Sequence, residues 1–169
     1  MTFACFMQNE IAAFAGEAAA EDIYWCAPWN DPRAPRILKG EEAVRRFTEG
    51  RVNKFVCIER DQEQLQALGR RLETLPGLEI TSSWADNYEL MPQGVSKGRA
   101  VKELAEKMGI GPDQVMTVGD FDNDLSMIEY AGYGTAMGNA TPKVKAAAKY
   151  VTLTNDEDGV AAAIRKYVL

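Results

Sequence analysis

The chain has 169 residues, which is enough for one substantial hydrophobic core and a smaller appended unit. Its 25 Asp and Glu residues outnumber its 19 Lys and Arg residues, and the net charge of −6 argues against a protein that binds nucleic acid through phosphate contacts. A membrane span is not expected because no stretch approaches about 20 apolar residues, and three scattered cysteines favour a cytoplasmic protein.

The first half of the chain is predicted to form an α/β layer with antiparallel strands. Asp61 is expected to cap an amphipathic helix that runs to Leu75, and a short helix is expected at 40–48 after a proline-rich stretch. Short apolar runs predict strands at 2–8, 10–16, 24–26, 52–59, 78–84 and 88–91.

The pattern changes between residues 91 and 96, where we place a domain boundary. Predicted helices at 96–108, 123–131, 142–149 and 159–167 alternate with strands at 115–118, 133–137 and 150–153. Repeated β-then-α units imply a parallel, doubly wound sheet. In the first of these helices, the apolar side chains that share one face are Val101, Leu104, Ala105 and Met108.

One acidic loop follows the strand that ends at Val118, within the sequence Gly119-Asp120-Phe121-Asp122-Asn123-Asp124. Ligands of parallel α/β sheets bind at the carboxyl ends of the strands, and clustered carboxylates with water are typical ligands of Mg²⁺. The chain contains no histidine, so a hard metal ion bound by carboxylates is the natural reading. The alternative is that the loop only caps the following helix and is otherwise solvated.

Lys97 supports the metal and phosphate reading. It lies at the predicted N-terminus of a helix, where the helix dipole disfavours a cation, so a bound anion such as phosphate would explain it. The alternative is an ordinary surface lysine.

Five short motifs in register resemble the C-terminal half of the Cof-type haloacid dehalogenase-like phosphatases, whose cap is of class IIB. They are Gly94-Val95-Ser96-Lys97-Gly98, the acidic loop with Met127, Ala136-Met137-Gly138-Asn139-Ala140, Val144-Lys145-Ala147-Ala148 and Asn155-Asp156-Glu157-Asp158-Gly159-Val160. The resemblance implies a partial doubly wound, Rossmann-like core sheet at 92–169 and a partial α/β cap with antiparallel strands at 1–91.

The resemblance also implies roles for individual residues. Asp120 resembles the family's Mg²⁺ ligand, and Lys97 resembles the lysine that contacts phosphate and the nucleophile. Asn123 resembles the amide donor to a phosphate oxygen, and Asp124 the carboxylate that holds Lys97 or the metal waters. Gly119 is expected to allow a tight turn, and Asp122 occupies a variable position with no assigned role.

The family's nucleophile segment, Asp-x-Asp-Gly-Thr, does not occur before residue 94, so an N-terminally truncated phosphatase that is inactive alone is expected. Reading Asp120-Phe121-Asp122 as that segment is disfavoured because Asn123-Asp124 replaces Gly-Thr. The missing strand would leave one apolar sheet edge unpaired, which predicts self-association or a complementing segment.

The expected substrate is a small phosphorylated metabolite such as a sugar phosphate, with selectivity set by the cap. A non-catalytic domain that binds Mg²⁺, phosphate or a protein stays open, as does phosphoryl transfer like that of phosphomannomutases. Trp84, Tyr88 and Glu89 either face a substrate or belong to the cap core, and the core reading is favoured.

Overall fold

The computed structural model describes residues 1–7, 11–15, 36–37, 45, 49 and 52–169. The chain divides into two compact units, Met1–Gln93 and Gly94–Leu169. Among the described residues, no helix is long and apolar enough to cross a membrane. The strand predicted at 24–26 and the helix predicted at 40–48 lie outside the described residues, except for Arg45, which is helical.

The first unit contains a six-stranded sheet. Its strands are β1 (Thr2–Met7), β2 (Ile11–Ala15), β3 (Arg36–Ile37), β4 (Val52–Ile58), β5 (Leu78–Thr81) and β6 (Asn87–Pro92). The spatial order is β3-β2-β1-β4-β6-β5, and every adjacent pair is antiparallel except β2 and β3. The antiparallel layer predicted from the sequence is therefore confirmed.

Helix α1 (Gln62–Leu72) connects β4 to β5. As predicted, Asp61 caps it, and its carboxylate accepts hydrogen bonds from the backbone N–H groups of Glu63 and Gln64. The helix ends before the predicted Leu75, since Pro76 disfavours a helical conformation for the residue before it, and the chain then turns through Gly77 with φ of 78°. One face of α1 packs on the sheet through a cluster that includes Cys57, Leu72 and Leu90.

Tyr88 and Trp84 both pack in the core of the first unit. Tyr88 lies against α1 so closely that a Cβ added to Gly69 would approach the Tyr88 hydroxyl oxygen to 2.4 Å. Trp84 packs on the buried residues Ala4, Val56 and Ile58. These contacts agree with the core reading of the two aromatic residues.

The second unit contains a three-stranded parallel sheet in the order β7-β8-β9, formed by β7 (Met116–Gly119), β8 (Tyr133–Ala136) and β9 (Tyr150–Val151). The helices of this unit are α2 (Lys97–Met108), α3 (Leu125–Tyr130), α4 (Pro142–Ala147) and α5 (Gly159–Tyr167). Ile128, Ala136 and Val144 are central to its core. The predicted parallel alternation of strands and helices is confirmed.

Helix α2 begins and ends where the sequence predicts, but its buried face differs. Ser96 caps the start by accepting from the Arg99 N–H group, and Gly109 ends the helix with φ of 69°. Ala105 is buried as expected, whereas Leu104 and Met108 are largely exposed. The helix is buried along its Gly98 side, where small residues permit close approach.

Candidate functional site

The acidic loop lies at the carboxyl end of β7, between that strand and α3. The sequence predicts a helix from Asn123, but the structure places a 3₁₀ turn at Asp122–Asp124 before α3 begins at Leu125. The turn is closed by a hydrogen bond from the Asp124 N–H group to the Phe121 carbonyl oxygen at 2.9 Å. The 3₁₀ turn therefore sets the directions of the polar side chains in this loop.

Asp124 is the buried centre of the site. Its Oδ1 atom accepts from the Lys97 ammonium group at 2.5 Å. Its Oδ2 atom accepts from the backbone N–H groups of Asp120 and Phe121 at 2.9 and 3.3 Å. These donors compensate for the cost of removing a carboxylate from water. Asp124 thus joins the start of α2 to both ends of the acidic loop.

Gly119 is required by this packing rather than by an unusual backbone conformation. It is not among the glycines with positive φ. A Cβ added to Gly119 would lie 2.4 Å from the Asp124 Cβ and 2.6 Å from its Cγ. The expectation that glycine serves a tight turn is therefore corrected, because the close approach of the Asp124 side chain is what excludes a larger residue.

Asp120 is the exposed carboxylate of the loop. Its backbone is fixed on both sides, since its N–H group donates to Asp124 and its carbonyl oxygen accepts from the Thr141 N–H group at 3.0 Å. Its Oδ2 atom lies 3.5 Å from the amide nitrogen of Asn139. Asp120 therefore presents a carboxylate to solvent from a firmly held backbone.

Asp122 and Asn123 differ in their surroundings. Asp122 forms an ion pair with Lys143 at the start of α4, with 2.9 Å between Nζ and Oδ2. Asn123 is half-buried on the 3₁₀ turn, and among the described residues its side chain has no hydrogen-bond partner. The Asn123 amide is thus available to a ligand, whereas the Asp122 carboxylate is already paired.

The residues present fit a partial site for a hard divalent cation. Within the described part of the chain, no three His, Cys, Asp or Glu side chains converge on one point. Both oxygens of Asp124 are occupied by donors, which leaves Asp120 as the carboxylate open to a metal. One carboxylate completed by water and substrate oxygens is a usual arrangement for Mg²⁺.

The sequence interpretation gave no role to Asn139, Asn155 or Lys143, although the structure places all three beside the acidic loop or its neighbours. Asn139 accepts from the Asn155 N–H group at 3.0 Å through Oδ1 and approaches Asp120 through Nδ2. The available signal was position, because Asn139 follows β8 and Lys143 lies in the first turn of α4, at the same edge of the sheet as Asp120.

Comparison with known proteins gives a consistent family. Residues 39–164 match a model described as haloacid dehalogenase-like hydrolase. The chain is 50% identical over 92 residues to the 5-amino-6-(5-phospho-D-ribitylamino)uracil phosphatase YcsE of Bacillus subtilis. The aligned region covers 54% of this chain and 37% of that protein. It is 47% identical over 100 residues to the phosphatase YwpJ of the same organism, and this alignment covers 59% of this chain and 35% of that protein.

Solved structures agree with these relatives. A haloacid dehalogenase-like hydrolase from B. subtilis matches with a TM-score of 0.83 and 29% identity, over 99% of this chain and 65% of that one. The subclass IIB sugar phosphatase BT4131 matches with a TM-score of 0.77 and 25% identity, over 98% of this chain and 60% of that one. The matches thus span about a third of the two curated relatives and less than two thirds of the two solved chains.

Proposed function

The chain belongs to the haloacid dehalogenase-like hydrolase family, and from that premise we propose that it supplies the metal- and phosphate-binding part of a Mg²⁺-dependent phosphohydrolase. The substrate class proposed is small phosphorylated metabolites, sugar phosphates in particular. The observation that carries the proposal is the contrast between the two carboxylates Asp124 and Asp120 of the acidic loop. Asp124 is buried under three donors, while Asp120 keeps an oxygen open to solvent.

Four polar residues of the site have roles in this proposal. Asp120 holds Mg²⁺, which when bound neutralises phosphate oxygens and orients the phosphoryl group. Lys97 contacts a phosphate oxygen, and the Asn123 amide donates a hydrogen bond to another. Asp124 touches neither substrate nor metal directly. It positions Lys97, because its carboxylate holds the lysine nitrogen at 2.5 Å.

The two units are assigned different tasks. We assign residues 92–169 to the core that carries the acidic loop, and residues 1–91 to the cap that selects the substrate. The relatives support this division, since one matching structure is a subclass IIB sugar phosphatase. The substrates of related phosphatases differ, since YcsE is a 5-amino-6-(5-phospho-D-ribitylamino)uracil phosphatase and YbhA of Escherichia coli is a pyridoxal phosphate phosphatase, so the substrate of this chain is proposed only as a class.

Turnover is proposed to need a carboxylate that these residues do not provide. The sequence Asp-x-Asp-Gly-Thr does not occur among the 169 residues, and Asp120-Phe121-Asp122 lacks the following Gly-Thr. The chain on its own is therefore proposed to bind Mg²⁺ and phosphate without hydrolysing phosphate esters. The same observation favours the second candidate, a binding domain that has no catalytic step at all.

The edge strand β7 supports a proposal about association. Among the described residues, β7 pairs with β8 alone and forms one edge of its sheet. An unpaired strand edge exposes backbone donors and acceptors that a second copy or another strand can bind. We propose self-association through this edge. Size-exclusion chromatography with light scattering is the test, and a stable monomer across the accessible concentration range would contradict it.

The central experiment combines Mg²⁺ binding with turnover of p-nitrophenyl phosphate, using the full chain. We expect Mg²⁺ binding that Asp120→Asn abolishes, and no phosphate release above the buffer control. Asp122→Asn is the matched control, because it changes a carboxylate of the same loop that is already paired with Lys143. Unchanged Mg²⁺ binding in Asp120→Asn would overturn the metal assignment.

Phosphate release in this assay tests whether the chain alone is catalytically active. Release of phosphate by the wild-type chain that is lost in Asp120→Asn and kept in Asp122→Asn would show a competent active site. That result would overturn both the expected inactivity and the binding-domain alternative. Mg²⁺ binding without turnover keeps both candidates, and adding a peptide that carries the Asp-x-Asp-Gly-Thr segment then separates them, since only an enzyme part gains activity.

A further inference from the structure

Asp120 reaches the solvent from a fixed backbone, but its carboxylate has its own neighbour. Among the hydrogen bonds of the described residues, the Asp120 side chain takes part in one, with Nδ2 of Asn139 at 3.5 Å from Oδ2. The donor is a neutral amide, so it can orient a carboxylate without cancelling its charge. A lysine at the same place would compete with a cation for that charge.

The orientation of the Asn139 amide is set by a second hydrogen bond. The backbone N–H group of Asn155 donates to Asn139 Oδ1 at 3.0 Å. A side-chain amide has an acceptor oxygen and a donor nitrogen, so a donor on Oδ1 leaves Nδ2 as the atom that faces Asp120. The Asn155 N–H group therefore determines which end of Asn139 meets the carboxylate.

The segment that carries Asn155 is itself firmly built. Thr154 donates to Glu157 Oε2 through its hydroxyl at 2.7 Å and through its backbone N–H group at 3.2 Å. These bonds hold the pKa of the Glu157 carboxyl below its ordinary value, so the charged carboxylate stays bonded to Thr154 at neutral pH. The Gly138 N–H group donates to the Leu153 carbonyl oxygen at 2.9 Å, which joins this segment to the loop of Asn139.

The loop that carries Asn139 and the segment that carries Asn155 are packed too closely for a side chain to fit between them. A Cβ added to Gly138 would lie 2.7 Å from the Thr154 backbone nitrogen. The loop after β8 and the segment after β9 thus meet backbone to backbone beside Asn139. The Asn139 amide is consequently held at a defined position relative to Asp120. Thr141, two residues after Asn139, also donates a backbone hydrogen bond to the Asp120 carbonyl oxygen.

We infer that Asn139 is a positioning residue for Asp120, and that the Asn155 N–H group orients it. This inference rests on the proposed function, because it concerns the metal bound by Asp120. The amide is bonded to Oδ2, so Oδ1 is the oxygen of Asp120 that would hold the cation. Loss of such a supporting hydrogen bond typically weakens metal binding by about 10- to 100-fold.

The test is a Mg²⁺ titration of the ¹⁵N-labelled full chain, followed by the backbone amide signals of residues 119–124. Asn139→Ala is expected to weaken Mg²⁺ binding about tenfold. Asn155→Pro removes the orienting N–H group, and the extended Thr154 backbone, with φ of −71° and ψ of 169°, accommodates a following proline. It should weaken binding to a similar extent. Asn155→Ala keeps the N–H group and is expected to bind Mg²⁺ like the wild type.

The outcomes separate the two proposals. If Asp120→Asn abolishes Mg²⁺ binding while Asn139→Ala binds like the wild type, the role of Asn139 is overturned and the proposed function stands. If Asp120→Asn binds like the wild type, the proposed metal site itself is wrong. Weaker binding by Asn139→Ala with unchanged signals at Gly138 and Thr154 supports the inference, because a general loss of structure would move those signals.

Discussion

Lys97 places its ammonium nitrogen 2.5 Å from Asp124 Oδ1, and the two side chains are 50% and 6% exposed. The lysine therefore faces solvent while the carboxylate that holds it is buried. Asp120, in contrast to Asp124, is exposed, so the two aspartates of the site have different expected roles. Asp124 supports the structure of the loop and the position of Lys97, whereas Asp120 serves the ligand.

Asp124→Asn is expected to destabilise the chain, because an amide has a single acceptor oxygen and cannot accept from the three donors that the two carboxylate oxygens bind. One NH₂ group would face a donor, which leaves buried groups unpaired at a cost of about 1–3 kcal/mol. Urea denaturation followed by circular dichroism measures the change, and hydrogen exchange of residues 116–124 localises it. Asp120→Asn alters an exposed carboxylate and is expected to change stability by less than about 0.5 kcal/mol. Equal stability of the two variants would contradict this assignment.

Lys54 and Glu89 form a pair in the first unit whose two halves should respond differently to mutation. Glu89 is buried on β6, and its Oε1 atom accepts from Lys54 Nζ at 3.1 Å and from the Ser83 hydroxyl at 2.9 Å. Lys54→Met leaves a buried carboxylate without its counter-charge, so a loss of about 2–4 kcal/mol is expected. Glu89→Gln leaves Lys54 free to reach solvent and should cost less.

The comparison of these two variants is made by urea denaturation at pH 7. Lys54→Arg is the matched control, since it retains a positive charge beside Glu89 and should lose less stability than Lys54→Met. A larger loss for Glu89→Gln than for Lys54→Met would mean that burial of the carboxylate is not the dominant cost.

Asp61 makes a pH-dependent contribution through the cap of α1. Hydrogen bonds from the backbone N–H group and the side chain of Gln64, and from the Glu63 N–H group, hold the pKa of the Asp61 carboxyl below its ordinary value of 3.8. A lowered pKa in the folded state means that the stabilisation is complete above the ordinary value and is lost as the pH falls through the folded value. Wild type should therefore be more stable than Asp61→Ala at pH 7.

That difference is expected to shrink as the pH falls below 3.8 and to level off in stronger acid at the value that the uncharged carboxyl group still contributes. Denaturation midpoints of the two proteins between pH 2 and 7 measure it. Asp61→Asn keeps a capping oxygen without the titrating charge, so its difference from Asp61→Ala should depend on pH much less. A constant difference between wild type and Asp61→Ala across the range would contradict the role of the charge.

Much of this architecture could be predicted from local sequence patterns. The Asp61, Ser96 and Gly109 signals define helix ends through bonds to neighbouring backbone groups, and the structure confirms all three. The direction of strand pairing also followed from element order. What could not be predicted depends on contacts between distant residues. Asn139 approaches Asp120 only because two strand-to-loop transitions meet at the same sheet edge.

The face of α2 illustrates the same limit. Apolar periodicity indicated Leu104 and Met108 as buried, yet the helix is buried through Gly98 and Ala105. Close helix approach selects small residues, and hydrophobicity alone does not reveal it. Similarly, Gly119 suggested a turn, whereas the position of the Asp124 side chain is what requires glycine there.

Gly98→Ala tests this packing, because the expected change in stability has the opposite sign to the change that helix propensity predicts. Alanine is favoured over glycine inside helices by up to about 1 kcal/mol. At Gly98, however, an added Cβ would lie 2.3 Å from the Ser126 carbonyl oxygen and 2.4 Å from its carbon. These are backbone atoms, so the helix must move, and a net loss of about 1–3 kcal/mol is expected.

The measurement is urea denaturation of Gly98→Ala beside Lys102→Ala, an exposed change in the same helix that should be nearly neutral. Ser126→Ala removes the hydroxyl that accepts from the Gly98 N–H group at 3.0 Å but leaves the backbone collision in place, so it should not rescue Gly98→Ala. Because Lys97 is the neighbour of Gly98, movement of α2 should also displace the lysine from Asp124. A Gly98→Ala protein as stable as the wild type would show that α2 and α3 do not pack this closely.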